Sequence, residues 1–323
     1  VNPDAVIPLV DHWNLGFQWL LSGDIAATLD YVGTKGTHLS ILRNLNQVFF
    51  NPDGTPTSTL PFPALGPIEF RDNVGNSNYH AMELTVERRF RAGLGFRAAY
   101  TLSKSIDSSQ EHLFSGGTGS FLQNAHNIRE RRGPSDFDVR HLFVTSYIYE
   151  LPFGPTRTYV TDGPASHLLR GWRVSGVTTL YGGRPFTIRA SGNDSALGGP
   201  RGGGMVSALA DCLGDGSLSR DERSIDRWFD STAYAVPSPA RLGTCGRNTL
   251  YGPGSVNFDF GLARLFDYFG EKRRLEFRWE MFNIFNTAQF GLPERNRSSS
   301  GVGRISSLSG DPRVMQFALK FYY

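Results

Sequence analysis

Long apolar runs, a concentrated charge of one sign and cysteine are all scarce in this chain of 323 residues. No stretch approaches the ~20 consecutive apolar residues of a membrane-spanning helix, so a helical span is excluded. Basic and acidic residues nearly cancel, 33 against 30, leaving a formal net charge of +3. Without a basic stripe there is no bulk electrostatic grip on nucleic acid, and no nucleic-acid partner is expected. The two cysteines, Cys212 and Cys245, match no zinc spacing, and no histidine cluster accompanies them. The 7 histidines are scattered, and Glu111-His112 lacks the second histidine of a metalloprotease helix. No Ser/His/Asp or paired-carboxylate constellation can be argued from spacing, so neither an enzyme nor a cofactor or metal is expected. Val1-Asn2-Pro3-Asp4 shows no initiator methionine and no basic-then-apolar leader. It reads as the start of a fragment, and says little about location.

What is present is aromatic and small: 24 Phe, 37 Gly, 39% hydrophobic residues and only 20% charged. The aromatic share is too high and the net charge too low for a disordered chain. The apolar residues instead recur with a period of two, the signature of half-buried strands. Trp13, Leu15, Phe17 and Trp19 alternate with Asn14, Gly16 and Gln18, and Ile25, Ala27, Leu29 and Tyr31 follow. Met82, Leu84 and Val86 repeat the pattern, as do Leu94, Phe96, Ala98 and Tyr100. So do Val256 to Leu262, Leu275 to Met281, and Met315 to Tyr323. Two further strands at 140–151 and 171–183 have a less clean phase. The expectation is about nine strands of roughly ten residues each.

Connections alternate in length. Ser22-Gly23-Asp24 and Arg91-Ala92-Gly93 are tight, and Tyr268 to Lys272 is only slightly longer. Between them lie long excursions at 34–78, 106–139, 186–255 and 286–312. A compact soluble domain rarely carries several loops above ~15 residues. A membrane barrel expects short periplasmic turns and long extracellular loops. The long connection at 152–170 is an exception, because parity makes it periplasmic. With that orientation the excursion holding Cys212 and Cys245 faces outward, where a disulfide closing a loop of about 34 residues can form. The other reading is two unpaired thiols in a loop.

Alternation alone does not separate a lipid-facing wall from a soluble sandwich, but three features do. Trp13, Tyr31, Tyr100, Phe285 and Tyr323 stand at strand ends, as in aromatic girdles. The opposite phase carries Glu83, Glu87, Arg97, Asp259, Glu276, Arg278 and Glu280 in mid-strand, which suits a polar lumen. Closure removes exposed edges, and in lipid it is compulsory. The fold expected is all-β: an antiparallel transmembrane β-barrel, with the lipid bilayer as its first partner.

Several segments carry a family resemblance. They are Trp13-Asn14-Leu15-Gly16 with Tyr31-Val32-Gly33-Thr34-Lys35-Gly36-Thr37-His38-Leu39, and Asn78-Tyr79-His80-Ala81-Met82 with Val86-Glu87-Arg88-Arg89-Phe90. Tyr100 to Asp107, Ser135 to His141, Glu150-Leu151-Pro152-Phe153-Gly154 and Phe277 to Asn286 continue it. The chain resembles the C-terminal barrel portion of TonB-dependent outer-membrane receptors, in particular the Oar-like type. The resemblance implies a barrel of about 22 strands with a plugged lumen, of which about nine are present and the plug is absent. It further implies a bacterial outer-membrane location and energised uptake of a scarce, unidentified solute. The TonB complex would be met through the missing N-terminal part. The last strand looks like the family's assembly signal, with Phe317, Leu319, Phe321 and terminal Tyr323 read by the outer-membrane barrel assembly machinery.

Three motifs stay outside that reading. Asp211 to Glu222 nearly spells a calcium loop, but Leu213 supplies no side-chain oxygen at the third position. A turn followed by a short helix over Arg223 to Phe229, packing Ile225, Trp228 and Phe229, is the preferred reading. Arg201-Gly202-Gly203-Gly204 lacks the strand and helix of a phosphate cradle. Arg129-Glu130-Arg131-Arg132 is able to meet lipopolysaccharide or an anionic ligand, against a solvated loop as the default. The rivals to transport are an adhesive or structural outer-membrane barrel and a secreted soluble glycan-binding β protein.

Overall fold

The computed structural model describes residues 6–108, 123–155, 157–191, 208–238, 241–266 and 274–323. Nine long strands form one antiparallel sheet in strict chain order. They are β1 (Leu9–Ser22), β2 (Ile25–Asn44), β3 (Glu69–Arg91), β4 (Leu94–Asp107), β5 (His141–Glu150), β6 (Trp172–Tyr181), β7 (Ser255–Phe266), β8 (Arg274–Phe282) and β9 (Val314–Tyr322). Gly133–Pro134 adds a short extra strand beside β4. Strands β1 and β9 are the two ends of the sheet, so the barrel is not closed among the described residues.

Strand pairing carries each face around the wall without a break. On the apolar face Phe17, Leu29, Leu84, Tyr100, Phe143, Leu180 and Val256 follow one another across seven strands. Leu15, Phe17, Leu29, Leu84 and Phe317 are not buried, although they are large and apolar. That distribution fits a wall whose outer solvent is hydrocarbon. The uneven phase of β5 and β6 has a cause: Leu142, Val144 and Ile148 place apolar groups on the face opposite Phe143, Tyr147 and Tyr149.

Strands β2 and β3 are longer than expected, 20 and 23 residues. The residues from 34 to 44 and from 69 to 78, expected as loop, are strand. Twenty residues extend ~65 Å, well beyond an apolar band of ~25 Å even when tilted. Beyond Thr34 the ladder is covered on both faces, with adjacent Ile41 and Leu42 and then Asn44 all buried, so the period of two disappears while the backbone pairing continues. The register shifts there between Gly36 and Leu39 and between Leu39 and Ile41. At the other end β3 turns into β4 through Ala92 and Gly93, with φ of +52° and +82°. Two successive left-handed residues match the strand twist of a tight hairpin.

Two glycines are covered by rings from the neighbouring strand. A Cβ on Gly33 would lie 2.2 Å from the Trp13 indole, and one on Gly176 would lie 2.7 Å from the Tyr147 ring. The connection at 152–170, longer than the expected short turn, contains helix α1 (Gly163–Leu169). It is tied to the wall by Arg264 Nη2, which donates to the His167 carbonyl at 2.6 Å. Arg264 lies on the apolar face, but its guanidinium sits over the Trp172 and Phe266 rings at 5.5 and 4.4 Å.

A compact apolar core lies within the long excursion between β6 and β7. Phe186, Ile188, Ala190, Ala210, Phe229, Tyr234, Cys245 and Leu250 form it. The helix expected over Arg223 to Phe229 is not formed. Its backbone pairs outward instead: Trp228 N donates to the Gly303 carbonyl at 2.9 Å, and Ile305 N donates to that of Ile225 at 2.7 Å. Phe229 enters the core, Trp228 packs beside it, and Ile225 stays exposed.

Candidate functional site

The seven charged residues singled out in mid-strand fall on one face of the sheet. Glu87 pairs with Arg97, Arg97 with Ser146, Ser146 with Val177 and Val177 with Asp259. Glu83, two residues from Glu87, shares that face, and Glu276, Arg278 and Glu280 continue it on β8 opposite Leu265, Ala263 and Gly261. Opposite charges directly across a ladder stabilise it by ~0.2–1 kcal/mol each. Near the short-turn end the face is organised around Glu276, whose carboxylate accepts from Arg278 Nε at 2.9 Å and from the Tyr322 hydroxyl at 2.7 Å. Arg173 completes the group at 3.5 Å. Glu280 accepts from Gln316 at 2.6 Å, and Asp259 accepts from Asn257 and from the Asn283 amide.

Strand β9 presents Phe317, Leu319 and Phe321 on the apolar face, opposite Trp279, Phe277 and Leu275. Phe317 stacks on Trp279 with centroids 5.6 Å apart. Tyr323 lies just past the strand and is exposed, with its ring 6.4 Å from that of Phe321. The expected girdle residues have partners of their own. The hydroxyls of Tyr31 and Tyr100 share hydrogen bonds with His80 and His141, at 2.8 and 2.7 Å. Phe285 lies beyond the end of β8 and packs edge-on against Phe258.

Over the long-loop end of the wall, the excursions fold into a cap. Cys212 and Cys245 are joined in a disulfide with Cα atoms 4.9 Å apart. Asp211, the first residue of the near-calcium loop, is ion-paired with Arg241 and accepts from the Thr244 amide. Among the described residues no acidic, histidine or cysteine group is arranged to hold a metal.

Buried polar side chains stitch the cap together. Gln47 Nε2 donates to the Gln123 carbonyl at 2.8 Å, while its oxygen accepts from the Ala125 amide at 2.6 Å. Gln123 in turn accepts from the amides of Leu209 and Gly243 and donates to the Gly243 carbonyl. Arg247 is 5% exposed; it is ion-paired with Asp107 and donates to the carbonyls of Gly133 and Pro134, each at 3.0 Å. Next to it Asn248 donates to the Pro134 carbonyl at 2.7 Å and to Asp136. Arg43 and Asp72 form a further pair across the tall hairpin. Sequence reading singled out none of Gln47, Gln123, Arg247 and Asn248, because isolated polar residues in loops have no periodicity or spacing. Glu111-His112, Arg201 to Gly204 and the turn at Tyr268 to Lys272 lie outside the described residues. Arg129 to Arg132 is described: Arg132 reaches Asn76 at 2.6 Å, and Arg131 turns into the cap.

A family model described as an outer membrane beta barrel domain matches residues 1–316. Among solved structures, the outer membrane transporter YddB from Escherichia coli is similar at 11% identity and a TM-score of 0.47, over 98% of this chain and 33% of its own. BauA, the ferric preacinetobactin receptor from Acinetobacter baumannii, is similar at 13% identity and a TM-score of 0.47, over 97% of this chain and 29% of its own. The chain thus spans no more than a third of these structures. No curated protein matches it.

Proposed function

The chain belongs to the outer-membrane β-barrel domain family and is placed in the bacterial outer membrane, and from that premise we propose that it is part of the barrel of a TonB-energised receptor. In this reading the polar face with Glu83, Glu87, Arg97, Asp259, Glu276, Arg278 and Glu280 lines the lumen. The outer loops capture a scarce solute, and a plug belonging to the whole protein controls its passage. The observation that carries the reading is the cap. Loops held by a disulfide, an apolar core and buried polar ties form a shaped surface, as binding requires. Strand β9, with Phe317, Leu319, Phe321 and Tyr323 along one edge, is what the assembly machinery would engage.

Uptake by cells expressing the whole gene tests this. Accumulation of the solute should require an intact TonB complex, and the region upstream of Val1 should encode a lumen-filling domain. An upstream region without such a domain would defeat transport in favour of an adhesive barrel.

A further inference from the structure

Three outer loops meet around a small, partly enclosed space in the cap. Its lining includes Arg131 from the excursion after β4, Arg189 and Arg247 from that between β6 and β7, and Arg295 from the last. The space measures about 40 Å³, room for roughly three waters or one compact oxyanion. We propose that it binds the oxyanion group, phosphate or carboxylate, of a small soluble ligand; this rests on the reading of the cap as a solute-capture surface.

The lining is rich in cations. Four guanidinium groups share this lining with two carboxylates, Glu130 and Asp136. Glu130 accepts from Asn127 at 2.6 Å and Asp136 from Asn248, and Asp107 pairs with Arg247, so the four guanidinium groups still outnumber these three carboxylates. Burial, then the charges of Arg247 and Arg189, pull the Arg131 guanidinium down to about 10, with Asp136 and Asp107 acting the other way. Cations held together in this way are stabilised by an anion placed between them.

Arg247 has more buried donors than the protein gives it acceptors. Its side chain is 4% exposed, and Nη2 alone serves Asp107, Gly133 and Pro134. Nη1 and Nε are buried with no acceptor. A buried charged donor left without an acceptor carries its desolvation cost uncompensated, and native structures rarely tolerate it. The Gln123 oxygen cannot help, because it already accepts from Leu209 and Gly243. An oxyanion, with several lone pairs and a planar or tetrahedral head, is the chemical complement of such donors. Neutral sugars and cations are disfavoured by the same charges, and the space is too small for a glycolipid headgroup.

Calorimetry on the full-length receptor in detergent tests the site with inorganic phosphate and, separately, acetate. Saturable binding of at least one of them is expected. Arg131→Gln and Arg295→Gln should each weaken it about ten-fold, the scale of one charge-assisted contact. These two positions are preferred over Arg247, whose loss threatens the fold of the cap. No saturable heat for either anion up to ~10 mM, or unchanged binding in both variants, would overturn the proposal. Displacement of the bound anion by lipopolysaccharide would overturn its assignment to a soluble ligand. The two proposals fail separately. Anion binding without TonB-dependent uptake keeps the site and removes the transporter, whereas uptake without anion binding does the reverse.

Discussion

The wall and the cap bury opposite kinds of residue, because they face different solvents. In the wall, backbone groups satisfy one another along the ladder, and large apolar side chains such as Leu15 and Phe317 point away from the protein. In the cap, backbone groups depend on buried Gln47, Gln123 and Asn248, which act as substitute ladder partners. The wall is uniform and tolerates many apolar substitutions on its outer face. The cap is irregular, so each polar tie there is specific to its place.

Removing Arg247 tests this contrast hardest. Arg247→Ala leaves Asp107 buried without its partner, at a cost of about 3–5 kcal/mol. Loop proteolysis should accelerate sharply, while the heat-dependent gel shift of the barrel stays. Reducing the Cys212–Cys245 bridge, or making Cys212→Ser, should come next. A loop closed over a separation of 33 residues is stabilised by about 3–4 kcal/mol through chain entropy. The loss should again be read in cap proteolysis alone. Leu84→Arg inverts the test: an arginine on the lipid face costs about 2–4 kcal/mol near mid-membrane. It should lower the unfolding midpoint of the barrel and leave the disulfide-bonded core protected. The smallest effect lies at the short-turn end. A hydrogen bond from Arg88, aided by one from Ser22, holds the Asp24 carboxyl below the ordinary aspartate range. Its stabilising contribution is present above that range and disappears as the pH falls through the depressed value. Asp24→Asn should flatten the acid side of a stability profile by a small amount.

The same contrast decides what could be read from the residues. Wherever a strand separates lipid from water, its side chains alternate, and the period of two located β1, β7, β8 and β9 and the charged face. It weakened at β5 and β6, where Val144 and Ile148 put apolar groups on the second face as well. It vanished beyond Thr34, where β2 is covered on both sides, Ile41 and Leu42 being buried on opposite faces. The cap was legible only through its cysteines. Local pattern suggested a helix at Arg223 to Phe229, and tertiary pairing with Gly303 and Ile305 overrode it. Gln123 and Arg247 acquire their roles only from residues far away in the chain.

The short ladder between Pro185–Phe186 and Leu250–Tyr251 has a consequence for how the sheet comes together. Strands β6 and β7 are neighbours separated by roughly seventy residues, a costly loop to close by chance encounter. The ladder ties the excursion at its base, leaving about six free residues to bridge the two strand ends. A chain that folds its cap first therefore closes this gap with about 2 kcal/mol less entropy lost. The excursion then serves as a clasp: it holds β6 and β7 within reach until their ladder forms.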